Sequence, residues 1–173
     1  MTEYVVTRWY RAPELLVESQ NYTTAIDVWA VGCIFAEMIG RKALFPGRDY
    51  LHQLRLIIDV VGTPSEEDLA SIANVQAVQF LRTLPVKPSR PWSEIFPKAS
   101  PQCLDLLSSM LVFNPAKRCT MQDALRCEYM APLHQSRPLP EPEQSFSFEF
   151  EKPDILQEAL REMIYEEMQH FHP

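Results

Sequence analysis

Thr2 and Tyr4 flank Glu3, and Arg8 and Arg11 follow at a spacing of three. Hydroxyl side chains accept phosphate, and phosphates on Thr2 and Tyr4 would together add about −3 to −4 charges at neutral pH. Guanidinium groups pair with phosphate oxygens through parallel N–H bonds, so Arg8 and Arg11 suit a phosphate receptor. These four residues describe a segment that is mobile when bare and ordered when modified. They equally describe a solvated polar stretch. The longer string Val5-Val6-Thr7-Arg8-Trp9-Tyr10-Arg11-Ala12-Pro13-Glu14 has to separate the two readings.

A switch needs a rigid base, and the patterning supplies helices for one. Residues 1–26 read as a loop with one short helix. From Asp27 to Ile39 the chain is apolar on almost every side (Val28, Trp29, Val31, Ile34, Phe35, Met38, Ile39). A helix apolar all round must be buried on all sides, and Gly40 is a natural stop after it. Residues 50–61 place Leu51, Leu54, Ile57, Ile58 and Val61 at helical spacing, closed by Gly62. Ser65 with Glu66, Glu67 and Asp68 reads as a capped helix start. Residues 85–101 carry five prolines and read as an irregular loop. Ser100-Pro101 then opens a helix with Leu104, Leu107, Met110 and Leu111 inward; Asn114-Pro115 breaks it, and Thr120 with Asp123 starts another. Residues 132–153 read as a polar, proline-rich linker. Asp154 caps a last amphipathic helix with Ile155, Leu156, Ala159, Leu160, Met163 and Ile164 inward. No strand is evident, so the fold is expected to be mainly α.

Composition narrows the function classes. The 173 residues are 46% hydrophobic and 23% charged, ordinary for a globular domain. A net charge of −7 argues against nucleic acid as a partner. No apolar run is long enough to cross a membrane, and the first residues lack the pattern of a signal peptide. Cys33, Cys103, Cys119 and Cys127 include no Cys-x-x-Cys pair, so reduced thiols are expected rather than a metal site or disulfides. His170 and His172 read as solvated. The expected location is the cytoplasm, with the nucleus as a second compartment.

The string from Thr2 to Glu14 closely resembles the activation segment of mitogen-activated protein kinases of the Thr-Glu-Tyr, ERK-like type, ending in the Ala-Pro-Glu of protein kinases generally. The resemblance covers the whole chain. Asp27-Val28-Trp29-Ala30-Val31-Gly32-Cys33 is similar to the central helix of the large kinase lobe. Leu44-Phe45-Pro46-Gly47, Gly62-Thr63-Pro64-Ser65, Asn114-Pro115-Ala116-Lys117-Arg118 and Ile164-Tyr165-Glu166-Glu167 stand at family-typical places. The implied fold is the C-terminal, large-lobe portion of a protein-kinase-like fold, without the N-lobe and catalytic loop. Residues 1–132 would form it, with the activation segment at 1–14 and the family's insert at about 65–100. Residues 133–173 would be a C-terminal extension wrapping the domain.

The resemblance also implies roles. Thr2 and Tyr4 would be the activating phosphorylation sites, modified by an upstream dual-specificity kinase and reversed by phosphatases. Arg8 and Arg11 would receive the phosphotyrosine. Val5, Val6, Thr7, Arg8 and Trp9 would shape the pocket beside the target residue, which in the family accepts proline; a pocket that need not bond a backbone N–H suits it. Partners would therefore include Ser/Thr-Pro protein substrates. Glu14 and Arg118 would form a buried ion pair, and Asp27 would anchor the catalytic loop. Leu16, Val17, Tyr50, Leu51, Leu54 and Phe80 would line an apolar docking pocket for Phe-containing motifs. Blander readings stay open for each: helix-start acids for Glu14 and Asp27, a surface base for Arg118, and core packing for the six apolar residues. Two departures stand out. After Leu133-His134, Gln135 and Pro138 replace the family's usual acids beside a basic Arg137, which puts docking of basic peptides in doubt. Cys127-Glu128 replaces the His-Pro expected before an aromatic.

Phosphoryl transfer needs a glycine-rich loop, a strand lysine, a His-Arg-Asp loop and an Asp-Phe-Gly metal ligand. None occurs here, and the family places all of them before Thr2. No catalytic residue and no metal ligand is assigned, and no cofactor is expected in this chain; ATP and magnesium are implied for a full-length parent. Met1 matches a methionine common before Thr-Glu-Tyr, so the chain looks like a longer kinase begun internally. Two functions follow. The first is part of a proline-directed serine/threonine kinase in a phosphorylation cascade. The alternative is a non-catalytic binding module that competes for substrates or upstream kinases. With the upstream partners of the residue 28–39 helix absent, exposed apolar surface and aggregation are also expected.

Overall fold

A computed structural model describes residues 7–17, 22–70, 72–133 and 156–172. The chain divides into two compact units, residues 1–135 and 136–173. All regular structure among the described residues is helical, as the patterning predicts.

The first unit opens with a 3-10 turn at Arg8–Tyr10 and the short helix α1, Pro13–Leu16. Proline at the first helical position gives up an N–H that would have no partner there anyway. The central helix α2 spans Ala25–Gly40. α3 spans Tyr50–Val61, α4 Glu66–Ala70, α5 Val75–Thr83, α6 Trp92–Ile95 and α7 Pro101–Met110. A second 3-10 turn, Pro115–Lys117, leads to α8 at Met121–Arg126. The caps follow the residue types. Asp49 accepts the His52 N–H, Ser100 accepts that of Cys103, and Thr120 and Asp123 form a reciprocal capping box.

One core joins these helices. Trp29, Cys33 and Ala36 of α2 meet Leu54, Ile57 and Ile58 of α3, Leu107 of α7, and Phe45, Phe96 and Leu111 of the connections. Burial raises the pKa of the Cys33 thiol, so it stays protonated. All four cysteines are free.

Three expectations are corrected. α2 is not buried on all sides: Ile26, Val28, Trp29, Cys33 and Ala36 face inward, while Val31, Ile34 and Met38 are 40%, 49% and 68% exposed. The apolar surface expected of this helix is therefore present. Gly40 does not stop the helix; it is the last helical residue, and Arg41 takes the left-handed conformation at φ 57°. Gly40 is small for a packing reason, since a Cβ there would meet Cε1 of Phe96 at 2.9 Å. The proline-rich stretch is not wholly irregular, because α6 forms inside it and stacks Trp92 on Phe96 at 6.3 Å.

Asp68 ties α4 to the second 3-10 turn. Its carboxylate accepts Lys117 Nζ at 2.8 Å, Asn114 Nδ2 at 2.7 Å and Ser65 Oγ at 2.9 Å. Burial works to raise its pKa, but the bonds from Lys117, Asn114 and Ser65 outweigh burial and hold it down to about 2, from an ordinary 3.8. A depressed carboxylate stabilises the fold above its unfolded pKa, and that contribution is lost as pH falls through the folded value. Asp68→Asn is therefore expected to cost about 1–2 kcal/mol at neutral pH. In urea unfolding followed down to about pH 2, the two proteins should converge. A constant gap across that range would contradict the role.

Taken by itself, the described part of the second unit is one helix, α9, Gln157–Phe171, with Leu156 as N-cap and no buried residue. The expected cap Asp154 and the apolar Ile155 lie outside the described residues. Within the described residues of this unit no second element lies against the face formed by Leu156, Ala159, Leu160, Met163 and Ile164. No helix is long and apolar enough to cross a membrane, among the described residues.

Candidate functional site

The residues that decide the site lie between the first 3-10 turn, α1 and the start of α3. Thr2, Tyr4, Val5 and Val6 fall outside the described residues, so the geometry begins at Thr7, which is exposed and leads the turn without a side-chain cap bond. Arg8 and Arg11 come together on one ring. Both guanidinium groups lie over the Tyr50 ring, at 5.3 and 5.2 Å from its centre. Arg8 Nη1 also donates to the Arg48 carbonyl at 3.0 Å, and Arg11 Nη1 donates to the Tyr50 hydroxyl at 2.6 Å. Arg8 Nε is enclosed and meets no acceptor among the described residues. Two cations on one aromatic ring at the mouth of α3 form a positive spot in a chain of net charge −7.

The turn is held from two sides. Trp9 Nε1 donates to the Gly47 carbonyl at 3.1 Å, and the Tyr10 hydroxyl donates to Glu37 of α2 at 2.7 Å. That bond, then burial and the Glu37 charge, raise the Tyr10 pKa. The third anchor, Gln53, is one that sequence reasoning missed. It is fully buried in α3; its Nε2 donates to the Trp9 carbonyl at 3.3 Å and its Oε1 accepts the Gly47 N–H at 3.0 Å. A signal was available, since a glutamine beside Leu54 on an apolar helix must find partners when buried. Gln53→Leu removes the Trp9 carbonyl's donor and leaves the Gly47 N–H only its bond to the Phe45 carbonyl at 2.8 Å; it is expected to cost about 1–3 kcal/mol, read as a lower denaturant midpoint. An unchanged midpoint would show that water replaces the amide without loss.

Glu14 and Arg118 meet across 104 residues of sequence, through Nη1–Oε1 and Nη2–Oε2 bonds of 2.7 Å each. Arg118 also donates to the carbonyls of Val112, Ala25 and Phe113. Glu14 is therefore more than a helix-start acid, and Arg118 is no surface base. Asp27 sits exposed in the first turn of α2, with no partner among the described residues.

The six apolar residues divide. Leu16, Val17 and Leu54 are core residues, at 9%, 1% and 3% exposure. Phe80 is half-buried, Tyr50 lies beneath the two arginines, and Leu51 is 51% exposed. Core packing therefore describes Leu16, Val17 and Leu54, and the exposed apolar contact of this set is Leu51. Gln135, Arg137 and Pro138, on which basic-peptide docking turned, lie outside the described residues. His170 and His172 join no group of three metal-ligating side chains among the described residues.

A model of the protein kinase domain matches residues 1–130. The chain belongs to the protein kinase family. Within the family it is ERK-like and groups with the mitogen-activated protein kinases. It is 51% identical over its whole length to "Extracellular signal-regulated kinase 1" of Dictyostelium discoideum, covering 33% of that protein. It is 50% identical to "Mitogen-activated protein kinase 3" of Arabidopsis thaliana over 96% of its own residues and 45% of the relative's. A "Mitogen-activated protein kinase" of Fusarium vanettenii is 49% identical over 97% of this chain and 48% of that protein. The chain thus spans about a third to half the length of these curated relatives. A mainly helical chain of that span is a large-lobe portion of the kinase fold.

Proposed function

We propose that these residues are the rear part of a proline-directed serine/threonine kinase of a phosphorylation cascade, carrying its dual-phosphorylation switch at Thr2 and Tyr4 and part of its substrate surface. The carrying observation is the convergence of Arg8 and Arg11 on Tyr50. Two guanidinium groups held within a few residues of Tyr4 suit a phosphate dianion. Arg11 immediately precedes Ala12-Pro13-Glu14, and Glu14 is tied to the helical base through Arg118, so an ordered phosphotyrosine would be felt along the turn at Arg8–Tyr10. Thr7 and Trp9, with Val5 and Val6, would form the wall against which a substrate proline rests.

ATP and magnesium belong, on this reading, to the longer parent. The residues present do not fit them. Gly32, Gly40, Gly47 and Gly62 each back onto protein atoms and leave no glycine cradle for phosphates. Asp27 would anchor the parent's catalytic loop. The partners proposed are an upstream dual-specificity kinase, Ser/Thr-Pro substrates and phosphatases, in the cytoplasm or nucleus.

Two measurements test the reading. The transcript preceding the Met1 codon should encode His-Arg-Asp and Asp-Phe-Gly in frame. The chain, incubated with an active dual-specificity mitogen-activated protein kinase kinase, should gain phosphate on Thr2 and Tyr4 by mass spectrometry. An in-frame stop directly upstream would shift the function to a competing binding module. Phosphorylation of neither residue, beside a modified relative, would remove the switch.

A further inference from the structure

Leu51, Arg55 and Asp59 follow one another on α3 at intervals of four, which sets them on one outer face. Beside its later half lies a cleft of about 320 Å³, between α3 and the end of α5 with the turn that follows. Ile58, Leu84 and Pro85 give it apolar walls, and Asp59 and Lys87 close one end by pairing with each other. Arg55 lines the cleft and differs from its basic neighbours. Arg82 is paired with Glu66 and Lys87 with Asp59, whereas Arg55 has no ion pair or hydrogen bond among the described residues. Its guanidinium lies over the Phe80 ring, 5.6 Å from the centre. That contact holds the group in place and uses none of its five N–H donors.

We propose that this cleft takes a short segment of a protein partner carrying a carboxylate close to an aliphatic side chain. The aliphatic group enters between Ile58, Leu84 and Pro85, and the carboxylate pairs with Arg55. Charge complementarity argues for this occupant. Arg55 is a cation without an ion partner at an apolar cleft, so a carboxylate beside an aliphatic group matches both features at once. Leu51, one turn before Arg55 and half exposed, continues the apolar surface beyond the cleft, which suits a peptide better than a small acid. The site uses none of the residues of the phosphorylation switch; it shares Leu51 and Phe80 with the apolar docking set, and Arg55, which lies outside that set, is what the test varies.

The test is fluorescence anisotropy with the 173-residue chain and short labelled peptides. Each carries one Leu, and one Asp placed one to three residues from it; matched peptides carry Asn. At least one Asp peptide should bind saturably, and its Asn partner should bind about tenfold more weakly or worse. Arg55→Ala should reduce the Asp peptide to the Asn level. Arg55→Glu should prefer a peptide with Lys in place of Asp. Arg126→Ala, on exposed α8, should change nothing. Circular dichroism confirms that the variants fold. The proposal is overturned if no Asp peptide saturates, if Asp and Asn peptides bind alike, if Arg55→Ala binds as the original chain does, or if hexanoate binds as tightly as the peptide.

Discussion

Glu14→Ala is expected to lose about 3–5 kcal/mol of unfolding free energy, a large part of what a domain of this size possesses. The loss comes less from the missing carboxylate than from the charge it leaves behind. The Arg118 side chain is 0% exposed and that of Glu14 4%, so the orphaned guanidinium cannot turn to water without opening the core. Arg118 makes five hydrogen bonds: two to Glu14 and one each to the carbonyls of Val112, Ala25 and Phe113. Those three carbonyls predict how other variants behave. Arg118→Lys keeps the charge but has three donors on a single nitrogen, so it should fall well short of the original stability. Exchanging the two residues should not rescue either, because a carboxylate at 118 would face three backbone oxygens. Denaturant unfolding decides the matter, and a loss below about 1 kcal/mol would mean that water already reaches the pair.

Much of the helical frame could be read from the chain, for local reasons. α3 occupies the residues its periodicity marks, and its stop is Gly62 at φ 89°. Ser100 and Thr120 cap the helices their side chains announce. Reading failed where a long-range contact decides a local question. Gly40 signals a stop by residue type, yet its place is set by the Phe96 ring from a distant turn. α2 is apolar enough for burial on all sides, but among the described residues of the first unit Val31, Ile34 and Met38 stay open.

The site shows the same division. Arg8 and Arg11 could be grouped by their phosphate-pairing chemistry, and Glu14 with Arg118 from the family pattern. That both arginines would share Tyr50 could not, because it depends on how the turn at Arg8–Tyr10 meets α3. Gln53 and Arg55 were missed for opposite reasons. One is a polar residue fully buried, whose partners are backbone groups that no residue type reveals. The other looks like any surface base, and only the Phe80 ring and the cleft beside it set it apart. Leu16, Val17 and Leu54 show the converse: docking pocket and core both stood open for them, and their burial describes core.

Trp29→Ala is expected to cost about 3–5 kcal/mol, comparable to breaking the ion pair, and for a connected reason. Trp29 is 0% exposed; it stacks on Phe45 with ring centres 5.8 Å apart and carries the Arg118 guanidinium 5.0 Å from its own ring. Its removal opens a cavity between α2 and the Leu44–Gly47 turn and takes away the surface that positions Arg118 for Glu14. Trp29→Phe should be far milder, about 1–2 kcal/mol. The indole Nε1 is buried and meets no acceptor among the described residues, so phenylalanine deletes an unsatisfied donor while keeping an aromatic face under the arginine. Because Trp29 and Glu14 both act on Arg118, their effects should not add. A double-mutant cycle of Glu14→Ala with Trp29→Ala should give a coupling of at least about 0.5 kcal/mol, and of opposite sign to the two losses. Strict additivity would mean that the ring packs the core without positioning the guanidinium, and the tie between the Ala12-Pro13-Glu14 segment and the central helix would then rest on hydrogen bonds alone.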